Sequence, residues 1–463
     1  MDQSEFEKVA ASFEEFHEEF APLFGRKEAQ ARSEQYLRGL LVQRTDRRNA
    51  ENLAEAVEGA TPRSLQRFLT EAPWETAPVI ERLQRYVGAR LDCDDGVWVL
   101  DETGFPKQGK ESVGVARQYS GTLGKVGNCQ VGVFLAYASS RGRALVDKRL
   151  YLPGKWIDDL HRCRRAGVPE GVVFRTKAEL ALQMLREARG WGHLRARWVT
   201  GDEEYGKVPG LRDALDAEGW WYVLEVPSDM TVWDRTVETS VPEYSGRGRK
   251  PKVDRVVGDA TAVSVKQISE RLESGQWQEL AVAEGEQAPR VYRFAALRVW
   301  ENRDGLPGRE CWLVLRTNPD GSEPKYYLSN APQSTSLWEL GRVGALRWAV
   351  ETEFQVQKGQ TGLDEYEVRT WRGWHHHITL SLLAGAFLLS LQQEWGEKDA
   401  RDHQASGKPG VAGVATPEGM DARGPARMAP RHPAAQRASQ TLPLQAQTQQ
   451  AARSVVVVLG SPA

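Results

Sequence analysis

Three acids in this 463-residue chain stand where a carboxylate could be held rigidly and still reach a ligand. The run Trp98-Val99-Leu100-Asp101-Glu102-Thr103-Gly104 reads as a buried strand that ends on two carboxylates followed by a Gly-containing turn. A second apolar run, Arg197-Trp198-Val199-Thr200, ends on Gly201-Asp202, and a third acid, Glu351, sits in the strongly helical segment from Leu337 to Lys358. Two strand-end acids and one helix-borne acid, far apart in sequence, suggest a metal site assembled by folding. Carboxylates alone can hold Mg²⁺, which prefers hard oxygen ligands and keeps several waters. Two such ions about 4 Å apart activate a water or a 3'-hydroxyl and stabilise the leaving oxygen of an in-line phosphoryl transfer. Arg347 and Lys358 share the helix face of Glu351, because steps of four and seven residues return nearly to the same angle. Lys358 could contact a phosphate and Arg347 could orient Glu351. Taken alone the triad is a weak signal, since 63 acids allow many triples, and capping acids or a surface ion pair would look the same.

Those acids need elements to carry them. Residues 1–90 place apolar side chains at helical spacing (Phe13, Phe16, Phe20; Tyr36, Leu37, Leu40, Leu41), which predicts an N-terminal helical domain. Thr61-Pro62 reads as an N-cap followed by proline at the first helical position. With Arg44, Arg47, Arg48, Arg63 and Arg67 nearby, this domain either sets a helix in a DNA groove or packs with a solvated basic face. Over 91–230 the period changes: Val113 to Ala116, Gln130 to Leu135 and Leu145 to Leu150 read as strands, Lys177 to Arg189 as a helix, then the Asp202 strand, a helix from Leu211 to Glu218, and a strand from Trp220 to Val226. That order predicts an α/β core with a mixed sheet flanked by helices. Residues 231–331 read as a β-rich insertion, and 332–397 return to helix, with Leu346, Val350 and Phe354 as a core stripe. The stretch 398–463, dominated by Gly, Pro, Ala, Gln and Arg, reads as a low-complexity, disordered tail.

Composition bounds the partners. Forty per cent hydrophobic and 27% charged residues describe an ordinary soluble globular protein. No apolar segment near Met1 suggests export, and the longest apolar run, Ile378 to Leu391, is too short to span a bilayer, so a cytoplasmic, nucleoid-associated protein is expected. Four cysteines without a CxxC pair support neither a zinc ribbon nor a disulfide framework. Net charge is −2, and the stretch 401–463 holds seven Lys/Arg against three Asp/Glu, so DNA binding would have to come from local basic patches. Candidates are Lys107, Lys110 and Lys125 around Asp101, and Arg247, Arg249, Lys250 and Lys252 in a flexible segment suited to lying along phosphates. His375-His376-His377 points in different directions on a helix, and reads as a helix start or a DNA-facing cluster in preference to a metal site. Trp371 and Trp374 could stack on an unpaired base, with core burial the commoner fate.

The run from Asp101 through Phe105, Lys107, Lys110, Arg117 and Lys125 to Asn128-Cys129-Gln130 closely resembles transposases of bacterial insertion sequences in the DDE superfamily, most of all the insertion-sequence 701 group, related to the insertion-sequence 4 group. Gly201-Asp202-Glu203-Glu204-Tyr205-Gly206 resembles the second-acid motif, and Arg347, Glu351 and Lys358 match most of the Tyr-(2)-Arg-(3)-Glu-(6)-Lys signature around the third acid. The signature Tyr falls on Gly344. The resemblance covers roughly residues 30–395. It implies an RNase H-like core with a β-rich insertion and Asp101, Asp202 and Glu351 as metal ligands for two Mg²⁺, with Mn²⁺ able to substitute. It also implies cleavage at the terminal inverted repeats of double-stranded DNA, strand transfer into target DNA, and a homo-oligomer, expected as a dimer on DNA. Two other readings stay open at this point: a domesticated, catalytically inactive relative that only binds DNA, and a carboxylate-pair glycosidase.

Overall fold

The computed structural model describes residues 3–42, 47–243, 249–283 and 290–405. Of the residues singled out above, Arg44, Arg247 and most of the tail, 406–463, lie outside the described residues.

The apolar runs become neighbouring strands. They are β1 (Val97–Pro106), β2 (Ala116–Ser120), β3 (Lys125–Ser139), β4 (Gly142–Tyr151), β5 (Trp198–Gly201) and β6 (Trp221–Val226). β1 lies antiparallel to β3 and parallel to β5, β5 lies parallel to β6, and β4 hairpins onto β3. The core order β4-β3-β1-β5-β6 is thus a mixed sheet with three antiparallel strands and a parallel pair beside them, the RNase H-like arrangement. β1, β5 and β6 are buried on both faces, as strands of a helix-covered sheet must be, which is why they read as continuous apolar runs and not as alternation.

Three expectations about local structure need correction. β1 does not stop at its acids but continues to Pro106, with Gly104 paired to Val131 in the ladder. Glycine is required there by close approach, since a Cβ at Gly104 would lie 2.2 Å from Ser120 Oγ. Val113 to Val115 precede β2 as a turn, not a strand. The helical segment from Leu337 to Lys358 is two helices, Leu337–Ala345 and Arg347–Thr361, separated at Leu346.

Within 231–331 the long hairpin Arg290–Arg303 and Leu306–Thr317, followed by Lys325–Ser329, joins the core sheet along β6. One sheet of twelve strands therefore runs through core and insertion among the described residues. The N-terminal helices pack against the C-terminal helix Trp371–Ala405, where Phe13 and Phe16 meet Phe387 edge-on and tilted. That helix continues through 398–405, the opening of the stretch expected as tail. No described helix is long and apolar enough to cross a membrane.

Candidate active site

Register brings two of the acids together. Leu100 pairs with Gly201 across the parallel β1–β5 ladder, and Gly201 with Leu224 across β5–β6. The next residues on the three strands are Asp101, Asp202 and Glu225, so three acids stand level at the carboxyl ends of adjacent parallel strands, where open α/β sheets place their ligands. Asp101 is buried at 8% exposure and Asp202 is half-buried. Asp202 Oδ1 accepts the Glu204 amide at 3.0 Å and so caps the short helix Glu203–Gly206, fixing the carboxylate's aim. Asp101 Oδ1 accepts the Glu102 amide at 2.7 Å.

Burial and mutual repulsion dominate this pair. Desolvation, then the charge of Asp202, holds Asp101 well above the usual carboxylate range. Burial and then Glu102 push Asp202 up to about 7. Two desolvated carboxylates competing for one space, with oxygen donors only, are the donor set that a hard divalent cation relieves, so these residues fit such an ion.

Glu351 stands apart. It is 51% exposed, and its Oε1 lies 2.6 Å from Arg347 Nη1 one helical turn away. Among the described residues no three His, Cys, Asp or Glu side chains converge closely enough to hold an ion between them. Arg347 is the hinge of the arrangement: its Nε lies 3.1 Å from Glu225 Oε2, and Glu225 is also held by Lys325 Nζ at 2.5 Å. Burial opposes the Arg347 charge, but Glu351, Glu225 and Asp101 outweigh it and raise its pKa. Lys358 Nζ donates to Thr103 Oγ1 at 2.8 Å and Thr122 Oγ1 at 3.2 Å, two residues beyond Asp101 and at the tip of the β2–β3 hairpin. Burial lowers its pKa, and Asp364 and Asp101 offset part of that.

The extra acids beside Asp202 are neutralised. Lys177, at the start of the helix Lys177–Trp191, pairs with Glu102 and lies 3.7 Å from Glu204, which Lys207 also pairs. Glu225 and Lys177 are not among the residues the sequence singles out. Glu225 sits inside the strand run from Trp220 to Val226, where an acid among apolar residues is the available signal, and Lys177 reads as a helix-start residue.

Other candidates scatter. Lys107 Nζ donates to Tyr366 O at 3.3 Å and lies 3.6 Å over that ring, with burial lowering its pKa to about 8. Lys110 and Lys125 are exposed, as are Arg249, Lys250 and Lys252 in the loop between Thr239–Ser240 and Arg255–Val256. Arg48 is buried, its Nη1 3.5 Å from Glu365, and Arg67 pairs with Glu71. The histidine trio lies one turn into the C-terminal helix and is buried in the core. Tyr36 OH and His377 Nδ1 hydrogen-bond at 2.8 Å, His377 Nε2 meets Gly362 O at 3.0 Å, and His376 meets Trp74 O and stacks on that ring. Burial drives both rings to the neutral form, His376 to about 4 and His377 to about 3. Trp374 is buried and its Nε1 donates to Tyr366 OH. Trp371 leans on His375. At Gly344 a Cβ would lie 3.3 Å from Val223, a tight approach, and 3.6 Å from the Tyr327 ring, an ordinary contact.

The sheet order, with paired carboxylates at its strand ends, defines the core of an RNase H-like enzyme. Residues 19–289 match the family model of the DDE superfamily endonucleases, and the chain belongs to that family. The matched stretch holds Asp101 and Asp202 and ends before Glu351. A curated relative, the "Probable transposase for insertion sequence element IS701" of Microchaete diplosiphon, is 22% identical over 352 residues, covering 74% of this chain and 77% of that protein. A solved structure, the piggyBac transposase synaptic complex with hairpin DNA, superposes with a TM-score of 0.40 at 9% identity, covering 97% of this chain and 80% of that one. Enzymes of this superfamily are generally divalent-metal dependent and act on DNA.

Proposed function

We propose that this chain is a DNA transposase that cuts double-stranded DNA at the inverted-repeat ends of its own insertion sequence and joins them to target DNA. The observation that carries the reading is the strand register that sets Asp101 beside Asp202 within a DDE-family chain. Asp101 and Asp202 would hold the divalent ion, Mg²⁺ with Mn²⁺ as substitute and two ions at full occupancy, and Glu351 would join them on leaving Arg347. When bound, such ions would offset the charge of the pentacoordinate transition state and lower the pKa of the attacking oxygen. The residues' own work is positional: the strand ends fix the two carboxylates, the Asp202 cap holds its aim, and Lys358, tethered on Thr103, reaches a phosphate beside Asp101. In the first reaction water attacks the phosphodiester, the P–O3' bond breaks and the 3'-oxygen leaves with a proton; in the second that 3'-hydroxyl gives up its proton and attacks the target phosphodiester, whose own P–O3' bond breaks as the target's 3'-oxygen leaves with a proton.

The exposed cations Lys110, Lys125, Arg249, Lys250 and Lys252 bind backbone phosphates, together with Arg247, and a dimer pairs the two ends. Residues 1–90 serve as a helical end-binding domain, 91–230 and 332–397 as the core, 231–331 as its insertion and 398–463 as a tail. The enzyme works at the nucleoid.

The test is strand cleavage by the purified chain on duplexes carrying the sequences that flank its own gene, in Mg²⁺, in Mn²⁺, in EDTA, and with Asp101→Ala and Glu351→Ala. Metal-dependent nicking at the ends, lost in both variants while end binding persists, is expected. Tight end binding without cleavage in either metal sinks the transposase reading in favour of a DNA-binding relative.

A further inference from the structure

The β2–β3 hairpin carries a surface that the chemistry of the acids does not use. Tyr119 and Val126 face each other across the ladder, and both are exposed, at 60% and 54%. Leu123, at 37%, ends the short turn Gly121–Leu123 and folds over Gly127, where a Cβ would come 2.6 Å from Leu123 Cδ1, so it covers the face of the hairpin opposite Tyr119 and Val126. Arg117, two residues from Tyr119, is exposed on the same face of the strand. Three large apolar side chains within eight residues at a hairpin tip are costly to leave in water unless something takes them.

The hairpin is rigid and tied to the catalytic face. Thr122 Oγ1 donates to Gly104 O at 3.1 Å and receives Lys358 Nζ at 3.2 Å, which in turn donates to Thr103. At its base Asn128 Nδ2 donates to Lys107 O at 2.6 Å and Gly109 O at 2.9 Å, and Gln118 Nε2 to Cys129 O at 2.9 Å. The tip is therefore positioned by the same lysine that stands beside Asp101.

Charge names the occupant. From Ser112 to Val146 the sequence contains no Asp or Glu, although the whole chain has slightly more acids than bases. Arg117 and Lys125 are exposed on the hairpin itself and Lys110 on the adjoining turn. An aromatic ring, an aliphatic side chain beside it and unopposed cations form the surface that receives unstacked bases beside a phosphate backbone. We infer that the hairpin face made by Arg117, Tyr119 and Val126 is a wedge that enters the DNA next to the phosphate held at Asp101 and Asp202, unstacking one base step and taking a freed base on Tyr119. This inference rests on the transposase reading, because the DNA must lie across the acids for the hairpin to reach it.

The experiment uses the full chain with duplexes carrying its own gene's flanking ends, with 2-aminopurine moved one position at a time through the cleavage region, in Ca²⁺ to hold the complex. Anisotropy reports binding and 2-aminopurine fluorescence reports unstacking. Wild type is expected to brighten at one step only. Tyr119→Ala/Val126→Ala should return that position to the level of free duplex, with affinity falling by roughly tenfold or less, and Tyr119→Phe should restore the signal. Full brightening in the double variant, or bound and cleavable DNA with no bright position in wild type, overturns the wedge and leaves the transposase reading intact. Loss of self-association in the double variant with brightening unchanged overturns it in favour of an interface between copies. Wild type that neither binds nor cuts these duplexes overturns both.

Discussion

If Asp101 and Asp202 are a pair of carboxylates awaiting a cation, removing one charge should stabilise the metal-free protein. The perturbation is Asp202→Asn, which keeps an oxygen to cap the Glu204 amide and so leaves the short helix Glu203–Gly206 intact. The Asp202 carboxyl goes from an ordinary 3.8 to about 7 on folding, a shift that stores about 4 kcal/mol against the native state once the group is ionised. The sign follows from proton counting. Between those two values the folded chain holds a proton that the unfolded chain has released, so wild-type stability is full below the lower value and falls as pH rises through the upper one. The variant has no such loss. Urea unfolding in EDTA should therefore show Asp202→Asn and wild type nearly equal near pH 4, with the variant ahead by up to about 4 kcal/mol at pH 8. Added Mg²⁺ or Mn²⁺ should close the gap by stabilising wild type alone, while the variant gains nothing and does not cleave. A variant no more stable than wild type at pH 8, or a gap indifferent to pH, would refute the reasoning.

Glu225→Gln removes the charge that Arg347 and Lys325 share, leaving Arg347 to Glu351; stability should fall by about 3 kcal/mol, and Mn²⁺ affinity by calorimetry should drop as Glu351 is held more firmly off the pair. Unchanged Mn²⁺ binding would remove Glu225 from any part in the site. Gly104→Ala drives a Cβ into Ser120 Oγ at 2.2 Å and should cost about 1–3 kcal/mol, recovered in large part by Ser120→Gly, with chemical denaturation as the measure. Tyr36→Phe strips His377 Nδ1 of its buried partner and should cost about 1–3 kcal/mol in the same assay, with cleavage kcat unmoved.

What could be read in advance divides along physical lines. The strands bearing Asp101 and Asp202 are legible because a strand buried on both faces must be apolar throughout, and each such run ends at its acid. That β1 carries on past Asp101 is not legible: Gly104 looks like a turn residue, and its reason for being glycine is Ser120, on a different strand. The break at Leu346 has no proline to announce it. Glu225 is concealed because its neighbours are core residues and its partners, Lys325 and Arg347, are a hundred or more positions away. The histidine trio misleads in the opposite direction, since polar residues in a row look exposed, whereas all three are buried, with Tyr36 and Gly362 meeting His377 and Trp74 meeting His376 in the core.

The same electrostatics explains why one acid rides on a helix. Two carboxylates at adjacent strand ends are already expensive to hold together, as the upward shifts of both record. A third fixed at the same level would add a further repulsion that only bound metal could offset, and the metal-free chain would have to fold against it. Glu225, the third acid at that level, avoids the cost by pairing with Lys325 and Arg347. Glu351 avoids it by standing one turn along a separate helix, on the other end of the same guanidinium. Arg347 thereby connects Glu225 to Glu351, and on the proposed reading a cation arriving between Asp101 and Asp202 competes with Arg347 for Glu351. Metal binding and assembly of the triad are then one equilibrium, so weakening the Arg347–Glu351 pair should tighten metal binding, whereas strengthening it should loosen it. Arg347→Gln, with Mn²⁺ affinity measured on the full chain, separates this from a rigid, preassembled triad, for which the substitution would weaken binding or leave it unchanged.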